Sequence, residues 1–496
     1  KMYPIKQATL TCLLVIIQLS LFSQYKLTDN CEYAWEAIID LKFADADSII
    51  EVELVSNPNN YYCTYLRQTS EAFQFMINMS DDAYDNISDN YEERMNYLEG
   101  NDIESPYYLS CQAEMQLQMG MFNIIYGDRL SGLKKAFNAY NKTYKNIEKY
   151  PNFNQGYKLD GIFNVAISNM PPFVNWAITF FGVSGSYVEG YRILEKYFKN
   201  CEGTTGIDAE AALYNILAFK LNKDPKSAYE FINTLDSNYL NLTLLKYFQG
   251  NVAYRLEKNE EAYDIISSIP VQQDDFYFNS YNYMMGKILL RKLDTNCRNY
   301  FSVYLNNQKE LQYHKEINYL IALSYLMEDN LENFERYKQI SEDKGNEISE
   351  RDREAVCDYD RDFIPNIYIA RAKLLILGGY YDNAEKELRS FKYSLPKYSS
   401  NSPFELEYNL LKGRIEANTG NPLQAQELYG RVIEDGGEEN YQFASEAAML
   451  LGLLLETKNA QLSIDYFKLA RKLYKSGYYE YIDEISKKKI EELKSA

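Results

Sequence analysis

The chain has 496 residues, 46% of them hydrophobic, and its formal net charge is −19 at pH 7. This hydrophobic content is sufficient for a sizeable core and excludes an intrinsically disordered chain, while the negative charge disfavours binding to nucleic acid or to anionic lipid. Because a single globular core stops growing at about 250–300 residues, the length indicates either several domains or a repeat fold in which each unit contacts its neighbours.

Residues 1–24 have the pattern of a secretory signal peptide. Lys1 and Lys6 give a positive start, Ala8–Phe22 is an apolar run of 15 residues, and Ser23 is a small residue at the expected cleavage point. The alternative is a transmembrane anchor, but this run is shorter than the ~20 residues that span a bilayer. We therefore expect export, to the periplasm or cell envelope of a bacterium, and no transmembrane span after the signal is removed.

The segment 25–204 is predicted to be an N-terminal helical region. Residues 29–54 are expected to form one helix with Trp35 on its apolar stripe, and a turn signal at 57–60 precedes a second helix. Residues 80–105 are polar and acidic.

Ser105 and Pro106 then mark the start of a long helix. Serine is a favoured N-cap residue. Proline is favoured at the first helical position because the N–H group that it lacks would have no hydrogen-bond partner within the helix there. Another helix is predicted from Gly132 to Tyr150, ended by Pro151.

The segment Phe173–Phe181 is apolar on nearly every side and follows the helix-breaking pair Pro171–Pro172. A helix that is apolar all round is usually buried, so one interpretation is a core position at the junction with the following repeats. The alternative is a docking element for a partner or a lipid surface. The candidate docking residues are Phe173, Trp176, Phe180 and Phe181.

Small residues recur in pairs, 11 or 12 positions apart, within the segment 205–496. This spacing is typical of antiparallel helix pairs, in which a small residue on each helix lets the two backbones approach closely. The pairs are Gly250 with Ala262, Gly286 with Cys297, Ala372 with Ala384, Gly413 with Ala425, and Gly452 with Ser463. Because neither helix of a pair can bury its apolar stripe alone, the pairs must stack. The sequence therefore predicts an all-α fold, an α-solenoid of antiparallel helix pairs.

Short turns such as Thr419–Pro422 are expected to join the two helices of each pair. The charged stretch 341–362 lengthens one repeat and is expected to be a loop or a helix extension. Residues 463–493 are expected to cap the array with a polar helix.

These repeats resemble tetratricopeptide repeats, which have small residues in both helices and an aromatic residue in the second. Gly379–Ala384 resembles the turn of that motif, and Asn459, Ser463, Phe467 and Ala470 resemble its second helix. The resemblance covers about residues 205–490 and implies a superhelical scaffold that binds a partner.

A block in the N-terminal region is similar to the tetratricopeptide repeat protein 39 family, which includes the inclusion-body clearance proteins. The matching residues are Gly161, Phe163, Asn164, Ser168, Pro171, Pro172, Phe181, Gly182, Gly185, Gly190 and Leu194, and Ser186 stands where that family has aspartate. The resemblance implies that this chain shares the helical-repeat fold of that family. Members of that family are intracellular and associated with organelle surfaces, whereas this chain carries an apparent export signal.

No catalytic, cofactor or metal site is predicted. His314 is the single histidine, so a site with several histidine ligands is excluded, and it is interpreted as a helix-surface residue. Asp358–Asp362 has the alternating acids that begin a calcium loop, but Phe363 stands where such loops need glycine, so a solvated charged loop is expected.

Export would permit disulfides among the cysteines. Cys31 and Cys63 are the first pair to test, because adjacent helices of one hairpin would carry them, although the sequence leaves the connectivity open.

The sequence therefore predicts an exported, non-enzymatic scaffold that binds a protein or peptide partner on its concave face, where tyrosines and acids would contact it. The alternative is a glycan- or lipid-binding helical-repeat protein of the cell envelope, in peripheral contact with the membrane. Glycan sites usually present exposed tryptophans, and the two here, Trp35 and Trp176, both lie on apolar stripes.

Overall fold

The chain is almost entirely α-helical in the part that the computed structural model describes. This part comprises residues 24–79, 81–168, 183–201, 205–221, 223–273, 276–308, 313–347, 349–359, 363–394, 398–439, 441–475 and 479–495. The predicted all-α class is confirmed. The chain forms two compact units: the first contains the described residues up to Val252 together with Ser268–Tyr281, and the second contains Ala253–Ser267 and the described residues from Asn282 onward.

The first unit is built from helices and one short hairpin of strands. Its helices are α1 (Asp29–Ile39), α2 (Phe43–Ser56), α3 (Tyr62–Asn78), α4 (Asp81–Leu98), α5 (Pro106–Ile125), α6 (Arg129–Lys149), α7 (Tyr157–Ser168), α8 (Tyr187–Lys199), α9 (Thr205–Leu221), α10 (Pro225–Ile232) and α11 (Ser237–Leu240). A 3₁₀ turn, Asn154–Gly156, precedes α7. Strands β1 (Gln272–Gln273) and β2 (Phe276–Tyr277) pair antiparallel. Helix α12 (Thr243–Arg255) and helix α14 (Ser280–Arg291) each contribute residues to both units.

The second unit contains the remaining helices in chain order. These are α13 (Asn259–Ser267), α15 (Cys297–Asn307), α16 (His314–Leu326), α17 (Leu331–Asp343), α18 (Glu350–Tyr359), α19 (Ile367–Leu377), α20 (Tyr381–Tyr393), α21 (Pro403–Asn418), α22 (Pro422–Gly436), α23 (Phe443–Leu455), α24 (Ala460–Leu473) and α25 (Glu480–Ser495). Helices α15 to α18 pack on one another in sequence order, as do helices α19 to α25, and α19, α21 and α23 also pack on one another in that order. The second unit is therefore an α-solenoid of antiparallel helix pairs, as predicted.

The predicted single helix over 29–54 is wrong, because the backbone breaks at Leu41. Leu41 has a left-handed conformation, with φ of 61°, and its side chain is fully buried. Burial of this leucine stabilises a turn that its residue type would not predict, and α1 and α2 pack against each other on either side of it.

The acidic segment 80–105 also forms a helix that the sequence analysis did not predict. Helix α4 buries Ile87, Tyr91 and Leu98, a sparse stripe that its acidic surroundings obscure. Arg94 on this helix makes a two-pronged ion pair with Glu71 on α3, at 2.7 and 2.6 Å, which fixes α4 against its neighbour.

The predicted helix caps and turns are confirmed. The Ser105 hydroxyl accepts a hydrogen bond from the Tyr107 amide at 3.3 Å, and Pro106 is the first residue of α5. Gly420 has a φ of +90°, a conformation that glycine adopts without a steric cost, and Pro422 begins α22. Helix α6 begins at Arg129, three residues before the predicted Gly132, because the Asp128 side chain caps it.

Glycines mark the points where two helix pairs of the first unit cross. A Cβ on Gly120 of α5 would lie 2.9 Å from the carbonyl oxygen of Gly132 on α6, and a Cβ on Gly132 would lie 2.6 Å from that of Gly120. Gly161 of α7 and Gly190 of α8 face each other in the same way. Any side chain at these positions would push the helices apart.

In the second unit a glycine on one helix and an aromatic ring on the other meet at the point where the two helices cross. A Cβ on Gly286, Gly413 or Gly452 would lie 2.5, 2.6 or 2.8 Å from the ring of Phe301, Tyr429 or Phe467, respectively. Each ring follows the second small residue of its predicted pair by four positions, one helical turn. At one crossing the second small residue also touches the first, since the Ser463 hydroxyl donates to the Gly452 carbonyl oxygen at 2.8 Å.

The charged stretch 341–362 contains a separate helix, α18, which packs against α16 and α17. Residues 463–493, expected to be a single capping segment, contain most of α24 and of α25. In the first unit, α9 packs against α1, where a Cβ on Gly206 would overlap the Glu32 carbonyl oxygen. The division of the chain at residue 204 stays a prediction.

We predict that Gly413→Ala lowers the free energy of unfolding by about 1–3 kcal/mol, because its methyl group would be forced against the Tyr429 ring. The matched control is Gly430→Ala on the adjacent helix α22, where a Cβ would meet no atom within 4 Å. This control is expected to be neutral or stabilising by up to about 1 kcal/mol, since alanine is the better helix former. Urea unfolding followed by circular dichroism measures both, and equal effects of the two substitutions would contradict the ring-on-glycine packing.

Candidate functional site

The candidate docking residues Phe173, Trp176, Phe180 and Phe181 lie outside the residues that the structure describes. The flanking residues Ile167 and Val183 lie together in one buried cluster of the first unit. The choice between a core and a docking role for this segment stays a prediction.

Two of the other residues considered, His314 and Asp358, lie in the described part of the chain. His314 is the first residue of α16 and is partly buried, and its carbonyl oxygen accepts a hydrogen bond from the Asn318 side chain. Asp358 lies in the last turn of α18 and accepts a hydrogen bond from the Tyr479 hydroxyl, while 360–362 lie outside the described residues. Within the described ranges, no cluster of three or more His, Cys, Asp or Glu side chains could hold a metal ion.

A buried ion cluster lies at the centre of the first unit, and sequence reasoning missed it. Lys158 on α7 contacts Glu114 on α5 at 2.8 Å and Glu210 on α9 at 2.5 Å. All three side chains are at most 3% exposed. One cation therefore faces two carboxylates in a site closed to bulk water.

Aromatic side chains complete the ion cluster. The Tyr65 hydroxyl donates to Glu114 at 2.5 Å, and the Tyr197 hydroxyl donates to Glu210 at 3.1 Å. The Lys158 ammonium also lies 5.6, 5.5 and 5.7 Å from the ring centroids of Trp35, Tyr65 and Tyr214, within cation–π range. Six helices, α1, α3, α5, α7, α8 and α9, thus contribute side chains to one centre.

The charge state of this cluster follows from its burial. Loss of solvation raises the pKa of Glu114 to about 7, in spite of the opposing effect of Lys158. Burial alone would lower the pKa of Lys158, but Glu114 and Glu210 outweigh it and raise that pKa above its usual range. Glu114 therefore keeps its proton to a higher pH than an exposed glutamate does.

A signal for this cluster does exist in the sequence. Glu114 is the one charged residue in the 20-residue helix α5, and Glu210 lies between alanines in α9. A lone acid within an otherwise uncharged helix indicates a buried partner, because unpaired charges are rarely buried. The identity of that partner depends on the tertiary fold, since Lys158 is 44 and 52 positions away.

The second unit brings together charged side chains from distant parts of its own sequence. Arg414 on α21 forms an ion pair with Glu257 at 2.5 Å, and the Tyr381 hydroxyl donates to Glu257 at 2.6 Å. A Cβ on Gly379 would lie 2.3 Å from the Glu257 carbonyl oxygen, so glycine permits this approach. The solenoid thus curves back on itself. We call the surface made by Tyr254, Arg255, Glu257, Lys287, Arg291, Glu316, Arg351 and Arg414 the inner face.

Two arginines of the inner face make no ion pair with any carboxylate that the structure describes. They are Arg255 and Arg291, both partly buried. The Arg291 guanidinium stacks on the Tyr254 ring, 3.3 Å from its centroid, and donates to the Tyr254 carbonyl oxygen at 2.6 Å. Burial lowers the pKa of each arginine, and the nearby charge of Arg351 lowers both further.

The neighbouring cations of the inner face are already neutralised. Lys287 pairs with Glu316 at 2.7 Å, and Arg351 pairs with Glu354 at 2.7 Å. Although burial acts against it, the charges of Lys287 and Arg351 lower the pKa of Glu316, which therefore stays ionised. The inner face thus combines satisfied ion pairs with two cations that lack a carboxylate partner among the described residues, an arrangement suited to an anionic group.

Comparison with known proteins adds no family assignment. No protein-family model matches the chain, and no curated protein matches it. Similar solved structures include the APC/C hetero-tetramer Cut9–Hcn1, at 12% identity and a TM-score of 0.24, covering 96% of this chain and 93% of that chain. The Naa15/Naa10 complex bound to HypK-THB has 13% identity and a TM-score of 0.23, covering 89% of this chain and 68% of that chain. Similarities this weak carry no argument, so the fold rests on the helix packing of the chain itself.

The chain is therefore an all-α protein whose second unit is a solenoid of helix pairs, as the tetratricopeptide resemblance implies. The finer resemblance to the tetratricopeptide repeat protein 39 family stays a prediction. In the described part of the chain, no helix combines the length and the apolarity needed to cross a membrane.

We predict that the pH dependence of stability has a component from Glu114. Its pKa is about 7 in the folded chain against an ordinary value of 4.5, so the folded state binds this proton more tightly than the unfolded state. The stabilisation is complete below pH 4.5 and is lost as the pH rises through 7, with a slope of at most about 1.4 kcal/mol per pH unit. Glu114→Gln should remove this slope. Urea unfolding of both proteins between pH 4.5 and 8 tests it, and parallel profiles would contradict the assignment.

We predict that Cys31 and Cys63 form a disulfide when the protein is refolded under oxidising conditions. All six cysteines in the described residues are buried, and none of them is in a disulfide. Interaction with the Cys63 thiol lowers the pKa of Cys31 to about 7. They lie on α1 and α3 rather than on the two helices of one hairpin. The bond would stabilise the first unit by about 3–4 kcal/mol.

Non-reducing peptide mapping by mass spectrometry would detect this disulfide. Cys111 and Cys201 serve as internal controls that should stay reduced. A dominant linkage through either of them would refute the pairing.

Proposed function

We propose that the chain is a protein-interaction scaffold that binds a protein or peptide partner on the concave inner face of the second unit. The observation that carries the proposal is the pair Arg255 and Arg291, neither of which has a carboxylate partner among the described residues. Stacking on Tyr254 fixes the Arg291 side chain before any partner arrives, so little side-chain entropy is lost on binding.

An acidic segment of the partner fits this face best. Arginine binds carboxylates through two parallel hydrogen bonds, and such charge-assisted bonds are stronger where water is partly excluded. Tyrosines such as Tyr254 would add stacking surface, in agreement with the expectation from the sequence. The acids of the inner face, in contrast, are occupied by their own cations: Glu257 by Arg414, and Glu316 by Lys287.

We further propose that the scaffold is non-enzymatic and is exported to the cell envelope of a bacterium, as the N-terminal sequence predicts. The buried ion cluster supports the non-enzymatic part, because its Lys158 and Glu114 are closed to solvent and so cannot meet a substrate. No observation on the described residues supports a glycan-binding function. Trp35 is 1% exposed and donates its indole N–H to Tyr62, so it offers no platform for a sugar ring.

Site-specific photo-cross-linking in cells tests this proposal. A photoreactive amino acid at position 351, whose native side chain is half exposed on the inner face, should capture a partner. The matched control is position 393 on α20, where Tyr393 is 86% exposed. We expect a recurrent adduct from position 351 and none from position 393.

A charge reversal identifies the contact. Adding Arg291→Glu should reduce the adduct at least about tenfold, since charged hot spots at interfaces contribute about 2 kcal/mol or more, whereas Arg431→Glu on the exposed side of α22 should leave it unchanged. Adducts of equal yield at positions 351 and 393, or an adduct that survives Arg291→Glu, would reject the inner face as the binding surface.

A further inference from the structure

The turn between α5 and α6 in the first unit carries an exposed apolar cluster. The two helices form a hairpin that turns at Gly127, whose φ is +89°. Five large apolar side chains on either side of this turn are exposed: Met121, Ile124, Ile125, Leu130 and Leu133. We call these five residues the hairpin tip. Leu130 is 84% exposed and Leu133 is 50% exposed, values that are unusual for leucine in a folded domain.

The hairpin is basic although the chain as a whole is acidic. Residues 106–149 contain six basic and three acidic side chains, in a chain whose formal charge is −19. One of those acids, Glu114, is buried in the ion cluster and faces away from solvent. Arg129, Lys134 and Lys145 on α6 are exposed and make no ion pair with any residue that the structure describes.

Apolar and basic residues occupy adjacent strips on the exposed side of α6. Gly132, Ala139 and Thr143 are buried and define the face of α6 that packs inward. On the opposite side, the helical period of 3.6 residues places Leu130 and Leu133 on one strip and Lys134 and Lys145 on the strip beside it. A helix with this division is typical of elements that lie in the interface of a membrane with anionic headgroups.

We propose that the hairpin tip inserts into an anionic lipid surface, with the basic strip of α6 on the headgroups. The apolar residues protrude on both sides of a turn, so they suit a deformable surface rather than a preformed partner groove. Tyr126 beside the tip stacks on Tyr84 of α4, with ring centroids 3.9 Å apart, which holds the turn in place. Asp85 lies next to Tyr84 on α4, and its negative charge would repel anionic headgroups. The headgroups are therefore expected on the α6 side of the tip. The residues of this surface are different from those of the inner face, and the proposal does not depend on the proposed scaffold function.

A fluorescent reporter at the tip tests this directly. The full chain carries Cys12→Ser and Met121→Cys, with an environment-sensitive dye on the new cysteine, since the six cysteines of the described residues are buried. The probe is a vesicle of 70% phosphatidylcholine and 30% phosphatidylserine. We expect a blue shift of the dye emission with these vesicles and none with pure phosphatidylcholine. The control is the same dye at Leu423→Cys, an exposed apolar position on α22 (79% exposed), which should show no shift.

Two sets of variants then separate the apolar and the ionic contributions in vesicle co-sedimentation. Leu130→Asp with Leu133→Asp should weaken binding at least about tenfold, and Lys134→Glu with Lys145→Glu should weaken it and reduce its salt dependence. Because these four side chains are exposed, the variants should keep the wild-type melting temperature. Leu423→Asp is the matched apolar control and should bind as the wild type does.

Several results would overturn the proposal. These are a dye shift of equal size with both vesicle types, unchanged binding of the Leu130→Asp/Leu133→Asp variant, or a concentration-dependent dimer that this variant abolishes. The last result would assign the hairpin tip to a second copy of the chain instead of to lipid.

Discussion

Two α-helices can bring their backbones close together only where the residues at the crossing point are small, and both units depend on this constraint. In the first unit Gly120 and Gly132 meet each other directly, backbone against backbone. In the second unit Gly286, Gly413 and Gly452 each accept the ring of an aromatic residue from the partner helix. The ring fills the space that the missing side chain leaves, so packing density is kept while the helices stay in contact. A pair joined in this way still has one apolar face uncovered, and the next pair in the sequence covers it.

Charge is handled in opposite ways by the two units. Lys158 is buried with two carboxylates and three nearby rings, so the first unit encloses one cation together with two anionic partners. Removing one member of such a cluster is costly, because the remaining charge stays buried without compensation. Arg255 and Arg291 of the second unit have the reverse arrangement, since they are only partly buried and no described carboxylate pairs with them. A buried cluster in which the cation is already paired, as at Lys158, stabilises the fold. Cations without a paired carboxylate among the described residues, such as Arg255 and Arg291, can instead be stabilised by binding an anionic ligand.

Local signals in the sequence predicted much of the helical framework. The small-residue spacing identified the crossings at Gly413 and Gly452, and the Ser105–Pro106 and Gly420–Pro422 signals identified helix ends, because each depends on residues that are neighbours along the chain. The break at Leu41 was missed, since burial of that leucine, and not its residue type, stabilises a left-handed backbone. Helix α4 was missed because its apolar stripe is sparse and its surface is acidic.

The candidate sites could be predicted less well, for a physical reason. Lys158, Glu114 and Glu210 are at least 44 positions apart, and Glu257 is 157 positions from Arg414, so only the tertiary fold brings them together. The lone acid in α5 indicated a buried partner but could not identify it. Cys31 and Cys63 interact as neighbours, but they lie on helices that are not consecutive rather than on one hairpin, and their disulfide stays a prediction.

The net charge of a chain describes its interaction with a distant partner, but not its contacts at short range. In physiological salt, charges are screened beyond roughly 8–10 Å, so a surface element responds mainly to the residues beside it. At that distance the exposed strip of α6 presents Lys134 and Lys145 with no described acid paired to either, and the inner face presents Arg255 and Arg291. The total of −19 would therefore slow the approach to an anionic partner without preventing contact at these two surfaces. The chain has 52 basic and 71 acidic side chains. Lys134 and Lys145 at one surface, and Arg255 and Arg291 at the other, have no described acid paired to them, and both proposed interactions follow from this feature.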